Sequence, residues 1–213
     1  MSAIANWPRH EQPRERLLAS GPGVLSDAEL VSLFVRGDSK MNSVERSRHL
    51  LADHGGLVAA CAALSVDTAL LAAAMELAKR NLATAMKESS ALTSPQAVRD
   101  YLRLALQGRQ HEVFIAIFLD AQHRVVVVEE LFRGTLTQTS VYPREVVKAA
   151  LRVNGAAVLF AHNHPSGVAQ PSNADEMITR SLRDALALVD VKVLDHFIVA
   201  GNQTLSFSER GLL

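Results

Sequence analysis

GAAVLFAHNHPSGVAQPSNADEMITRSLRDALALVD, residues 155 to 190, reads as strand, loop and helix, and the fold follows from that order. The run from Gly155 to His162 is apolar and a proline, Pro165, stops it, which is the pattern of a buried strand. Residues two apart on a strand share a face, so His162 and His164 project together, roughly 7 Å apart at their Cα atoms. Asn163 alternates with them and points the other way. The turn formers of PSGVAQP then lead into a helix, in which Met177, Ile178, Leu182, Ala185 and Leu186 recur at helical spacing.

Ser172 falls where that helix starts and Asp175 in its first turn. Ser-x-x-Asp before an apolar run is a capping box, and the same carboxylate can aim back at the two histidines. Two imidazoles and one carboxylate form a three-ligand set that leaves a fourth position for water, the catalytic rather than the structural zinc pattern. Such donors also suit ferrous iron. An exposed edge-strand pair is the bland reading of His-x-His, and the apolar strand around it argues against that.

Outward from this unit, the second part of the chain reads in order as a helix over AVRDYLRLAL, a strand HEVFIAIFLD, a strand HRVVVVEELF, a helix PREVVKAALRV, the strand and helix just described, a strand VKVLDHFIVA and a short strand TLSFSE. Strands and helices mixed in this way predict an α/β domain built on a mixed sheet over residues 95–213. In LDHFIVAG, Asp195 and His196 read as a strand-start histidine with a hydrogen-bonded aspartate rather than as further ligands.

Residues 1–90 read as a small all-α domain. Ser26 is an expected N-cap with Glu29 at the capping-box position. SVERSRHLLADHGG gives a second helix ending at Gly55-Gly56, and LSVDTALLAAAMELAKRNLATAMK a third. The polar KESSALTSP, residues 87–95, is the expected linker.

Composition narrows the function classes. The 213 residues, 48% apolar, are enough for a substantial core. Basic and acidic residues balance at 22 each, so bulk charge gives no support to direct DNA binding. Arg9, Arg14 and Arg16 are interleaved with Glu11 and Glu15 and read as a solvated helix face. A single cysteine, Cys61, excludes an internal disulfide and a cysteine zinc site. No stretch has the length of a membrane span and the start lacks an apolar signal core, which leads to an expected cytoplasmic location with no membrane partner.

His162-x-His164-Pro165 followed by Ser172 and Asp175 resembles the JAMM (MPN-plus) metallopeptidase signature. FRGTLTQTSVYPREVVKAAL (132–151), AHNHPSG (161–167), PSNADEMIT (171–179) and LDHFIVAG (194–201) are similar to the bacterial RadC family, long labelled a DNA-repair family. The resemblance implies a three-layer, cytidine-deaminase-like JAMM domain, with Zn2+ held by His162, His164 and Asp175. It implies that Glu112, at the start of HEVFIAIFLD, is the base that takes a proton from the attacking water and delivers it to the leaving amine. It also implies that Ser172 helps hold the oxyanion. Glu145, near the first turn of PREVVKAALRV, is a competing carboxylate, and Glu129 and Glu130 are others. The helical N-terminal part of RadC proteins includes a helix-hairpin-helix with a Gly-apolar-Gly turn that can grip DNA phosphate. Between GGLVAACAA and LLAAAMELAKR this chain offers only LSVDT, so the hairpin reads as shortened or lost.

Three functions are consistent with these features. A zinc hydrolase would cleave amide bonds in a protein or peptide substrate. A binding module in DNA repair or recombination would use the metal only for structure. A metal-dependent nuclease has in its favour only the letters His-Asn-His, which are contiguous here and not spread over a hairpin and helix.

Overall fold

The structure is a computed structural model and describes residues 4–63, 65–88, 95–134 and 141–213. It divides into two compact units, Met1–Ala78 and Lys79–Leu213. The segment 87–95 expected as a linker falls mostly outside the described residues.

The first unit is helical. It contains α1 (Pro13–Ser20), α2 (Asp27–Val31), α3 (Ser43–His54), α4 (Leu57–Ala62) and the start of α5 (Ala69–Glu88). Reciprocal capping boxes open α2 (Ser26 with Glu29) and α3 (Asn42 with Glu45). Gly55 ends α3 at φ 77°, a left-handed position that glycine occupies without steric cost. Helix α4 is too short for periodicity to announce it, and residues 65–68, expected within the third helix, form a turn. In that turn Ser65 and Thr68 bond each other's backbone amides at 3.0 and 3.2 Å, and the Thr68 hydroxyl donates to the Ala63 carbonyl. Val31, Val35, Leu50, Ala60 and Leu71 form this unit's core.

The second unit is a three-layer α/β domain, as its element order predicts. Its five-stranded sheet runs β2-β1-β3-β4-β5, with β1 Val113–Leu119, β2 Val125–Arg133, β3 Ala157–Asn163, β4 Lys192–Ala200 and β5 Gln203–Ser206. Only β3 and β4 pair in parallel, so the sheet is mixed. Strands β1 and β3 are buried along their whole length, which explains their near-continuous apolar sequences.

Alternate residues supply two cores. Ile115, Ile117, Leu119, Leu159 and Ala161 pack on one face with Val98, Leu102 and Leu106 of α6 (Pro95–Leu106). Phe114, Ala116, Phe118, Val158 and Phe160 face the other way, toward α7 (Pro143–Arg152) and α8 (Asn173–Ala187). Leu182 and Leu186 of α8 are fully buried there, each contributing about 1.5–3 kcal/mol of hydrophobic stabilisation. Met177 shares their spacing yet stays 67% exposed.

Candidate metal centre

The site stands at the C-terminal end of β3, where the chain leaves the sheet for α8. His162 is the last core-facing residue of the strand and continues the face of Val158 and Phe160. His164 lies just beyond the strand, but its amide donates to the Val199 carbonyl at 2.9 Å, which carries the parallel pairing one step further. The two imidazoles therefore converge, with their Nε2 atoms 2.9 Å apart.

Asp175 joins them from the first turn of α8. Its Oδ1 is 3.2 Å from His162 Nε2 and its Oδ2 is 3.4 Å from His164 Nε2. The capping box forms as expected, and the Ser172 hydroxyl donates to Asp175 Oδ2 at 2.7 Å while accepting from the Asp175 amide. One carboxylate thus fixes the helix start and faces the histidines.

Asn163 turns to the opposite face. Its Oδ1 accepts from the Val113 amide at 2.8 Å, and its Nδ2 donates to the His111 carbonyl at 3.0 Å. That buried bridge anchors the backbone on either side of Glu112, which precedes β1. Glu112 lines the same cleft as His162, His164, Ser172 and Asp175, a space of about 790 Å³ walled on its apolar side by Phe114, Val141, Tyr142 and Ile178. Its charge also reaches His164.

The competing carboxylates are elsewhere. Glu145 pairs with Lys148 at 3.0 Å and Arg144 at 3.4 Å on α7. Glu129 pairs with Arg152, and Glu130 with Arg133. None of the three is among the residues lining the cleft. A larger cavity, about 1030 Å³, is lined by Arg103, Glu176, Thr204, Glu209 and Arg210 and brings no histidine or cysteine together.

The expectation for His196 needs correction. It lies in the middle of β4, not at its start, and its ring does not touch the Asp195 carboxylate. Neighbours on a strand point to opposite faces. Asp195 accepts from the Ser206 hydroxyl, the Ser208 amide and the His196 amide. The His196 ring, fully buried, instead has Nε2 2.9 Å from His162 Nδ1 and Nδ1 2.6 Å from the Thr179 hydroxyl. Burial, and positive charge on His162 and His164, push its pKa well below 6.5 against the pull of Asp175.

The donor set fits a divalent zinc ion. Ligands about 2.1 Å from tetrahedral zinc stand roughly 3.4 Å from one another, close to the 2.9, 3.2 and 3.4 Å separations found. His164 Nδ1 lies 2.8 Å from the Val168 carbonyl. A carbonyl only accepts, so that nitrogen carries a proton, and in the neutral ring Nε2 would keep its lone pair for an ion. Among the described residues these three are the one group of histidine, cysteine and acidic side chains close enough to share an ion.

Without metal, the cluster shares protons. Hydrogen bonding to Asp175 raises the His164 pKa above 6.5 against its burial. Burial pushes Asp175 upward, but hydrogen bonds from His162, His164 and Ser172 outweigh it and hold the carboxyl well below 3.8. The depressed carboxylate contributes stability that is complete above its unfolded pKa and is lost as pH falls through the folded one. The raised imidazolium contributes stability that is complete below its unfolded pKa and is lost as pH rises through the folded one. The contribution of this pair is therefore complete from about pH 4 to 6.5, and the depressed His196, which costs stability as pH falls below its unfolded value, moves the expected stability maximum of metal-free protein to the upper end of that window; zinc should lift the alkaline side. Thermal melts with chelator across and beyond that window check this, and a metal-free melting temperature still climbing above neutrality would contradict it.

Comparison with known proteins assigns the domain that carries this site to a family. Residues 92–212 match the model of the RadC-like JAB domain, and residues 4–81 match that of the UPF0758 N-terminal region. This chain belongs to the RadC family. Among its RadC relatives, a UPF0758 protein of Nitrosomonas eutropha (strain DSM 101675 / C91 / Nm57) is 56% identical over 99% of this chain and 100% of its own length. UPF0758 proteins of Thiobacillus denitrificans (strain ATCC 25259 / T1) and Dechloromonas aromatica (strain RCB) are each 56% identical with the same coverage. The domain is thus of the JAMM/MPN type that its histidines suggest. In this RadC chain, sequence reading missed Thr179 and the true partners of His196. Thr179 had a visible signal, since it stands four residues after Asp175 on one helix face.

Proposed function

We propose that this RadC protein is a zinc-dependent metallopeptidase that cleaves a peptide or isopeptide amide bond in a protein or peptide substrate, acting in the cytoplasm. The observation that carries this reading is the convergence of His162 Nε2, His164 Nε2 and the Asp175 carboxylate in a cleft also lined by Glu112 and Ser172. Among the described residues no helix is long and apolar enough to cross a membrane, which is compatible with that location.

In this reading His162, His164 and Asp175 hold the ion. Bound zinc supplies Lewis-acid polarisation of the scissile carbonyl and makes water acidic enough to attack near neutral pH. Glu112 accepts the proton of the attacking water and passes it to the departing amine, so one carboxylate serves as base and then acid. Ser172 turns its hydroxyl proton from Asp175 to the oxyanion that forms on the carbonyl oxygen. Phe114, Val141, Tyr142 and Ile178 give the cleft an apolar wall against which a substrate side chain can lie.

Direct DNA contact is not part of the proposal. In the helical unit Arg16 is engaged by Glu29 and the Val24 carbonyl, and Arg46 by Asp38 and Asp67, so these basic groups are already paired.

The test is to incubate zinc-loaded protein with a diverse peptide mixture and with isopeptide-linked conjugates, and to read new termini by mass spectrometry. Expected are cleavage products that disappear with chelator and return with zinc. Equimolar bound zinc with no product from either substrate pool would argue for a structural ion.

A further inference from the structure

We infer that Thr179 and His196 form a positioning relay that fixes the tautomer of His162 and keeps its Nε2 lone pair directed at the metal position. This deepens the metallopeptidase reading and rests on its ligand assignment. Thr179 Oγ1 lies 2.5 Å from the Asp175 backbone carbonyl and 2.6 Å from His196 Nδ1. The hydroxyl has one proton and the carbonyl can only accept. That proton therefore goes to Asp175, and toward His196 the threonine oxygen is an acceptor. His196 Nδ1 must then carry hydrogen.

His196 is fully buried, stacked on Phe207 with ring centres 4.8 Å apart and meeting Phe114 edge-on at 5.4 Å. Enclosed by Phe114, Phe160 and Phe207, with an imidazole and a hydroxyl rather than a carboxylate as its ring partners, the ring has nothing to hold a second proton, and an imidazole protonated at Nδ1 alone is an acceptor at Nε2. His196 Nε2 thus accepts from His162 Nδ1 at 2.9 Å, so that when the shared protons of the cluster give way to an ion, His162 Nε2, beside His164 Nε2 and Asp175 Oδ1, is the nitrogen with its lone pair free. Every proton in the chain points away from the ion's position. The relay begins on the backbone of Asp175 itself, so the helix that supplies the carboxylate also orients an imidazole on the sheet.

Metal-bound histidines commonly donate to a carboxylate or a backbone carbonyl, and loss of such a partner costs 10–100-fold in metal affinity or activity. Here the acceptor is a neutral ring, which holds the tautomer without adding negative charge beside the ligands.

Thr179→Val removes the hydroxyl at nearly constant shape and Thr179→Ser restores it. Zinc affinity, measured by competition with a chromophoric chelator, is expected to fall about 10–100-fold in Thr179→Val and to recover in Thr179→Ser. Independently, long-range 1H–15N NMR of ring-labelled wild-type protein should report His196 as the Nδ1–H tautomer with and without zinc, and His162 as Nδ1–H when zinc is bound. Wild-type affinity in Thr179→Val, or His196 protonated at Nε2, would overturn the relay. If Thr179→Val does not fold, the wild-type spectrum alone decides. Wild type that binds no zinc but shows His196 as Nδ1–H would sink the metallopeptidase reading and leave the relay's hydrogen-bond order standing.

Discussion

Loaded with zinc and freed of excess, the wild-type protein should retain equimolar metal, and His164→Ala should retain none. The variant leaves His162 and Asp175, two donors where a tetrahedral site draws on three protein ligands. The effect is large because, among the described residues, no fourth histidine, cysteine or acidic ligand atom joins His162, His164 and Asp175 in the group close enough to share an ion. His196 is directed at His162 and Thr179, and Asp195 is held by Ser206 and Ser208. The fold should survive, since Asp175 keeps Ser172 and His162 as partners and the cores on both faces of the sheet are untouched. Elemental analysis beside a circular-dichroism melt separates the two effects. Undiminished zinc in a folded His164→Ala protein would show that the ion sits elsewhere.

Glu112→Gln should do the opposite, keeping the metal and losing turnover by roughly 10²–10⁴-fold, the usual contribution of a general base. The amide preserves the shape of the carboxylate but has no lone-pair basicity for the proton. Zinc content and peptide cleavage measured on one preparation make the comparison direct. Glu145→Gln is the control, because that carboxylate pairs with Lys148 and Arg144 on α7, and its activity should match wild type. Full activity in Glu112→Gln, or lost zinc, would remove Glu112 from the role of base.

Much of this arrangement is legible in the sequence because its signals are local. Alternation along 157–164 places His162 and His164 on one face and Asn163 on the other. The Ser172-x-x-Asp175 spacing marks the helix start, element order points to an α/β domain on a mixed sheet, and the family resemblance adds the three-layer type. What stays hidden depends on register between distant segments. His196 sits opposite Phe160 in the parallel pairing of β3 and β4, an alignment set by how α8 crosses back over the sheet, and no residue in LDHF states it. Adjacency to Asp195 gives no hint of the ring's partners, because the carboxylate meets only the His196 amide while the ring turns to the opposite face. Helix α4 is hidden for another reason, since six residues carry less than two turns of periodicity.

Strand β3 is a plate with chemistry on one side and architecture on the other: His162 faces the cleft, while Asn163 clamps the backbone around Glu112. Shifting a strand by one residue exchanges its faces entirely. A single inserted or deleted residue within 157–163 would therefore not weaken the centre by degrees. It would present an asparagine to the cleft and bury an imidazole against α6, so variation in length has room only in the loop after Pro165. For evolution and for an engineer alike, the cleft can be reshaped at its rim, whereas its floor admits one reading frame.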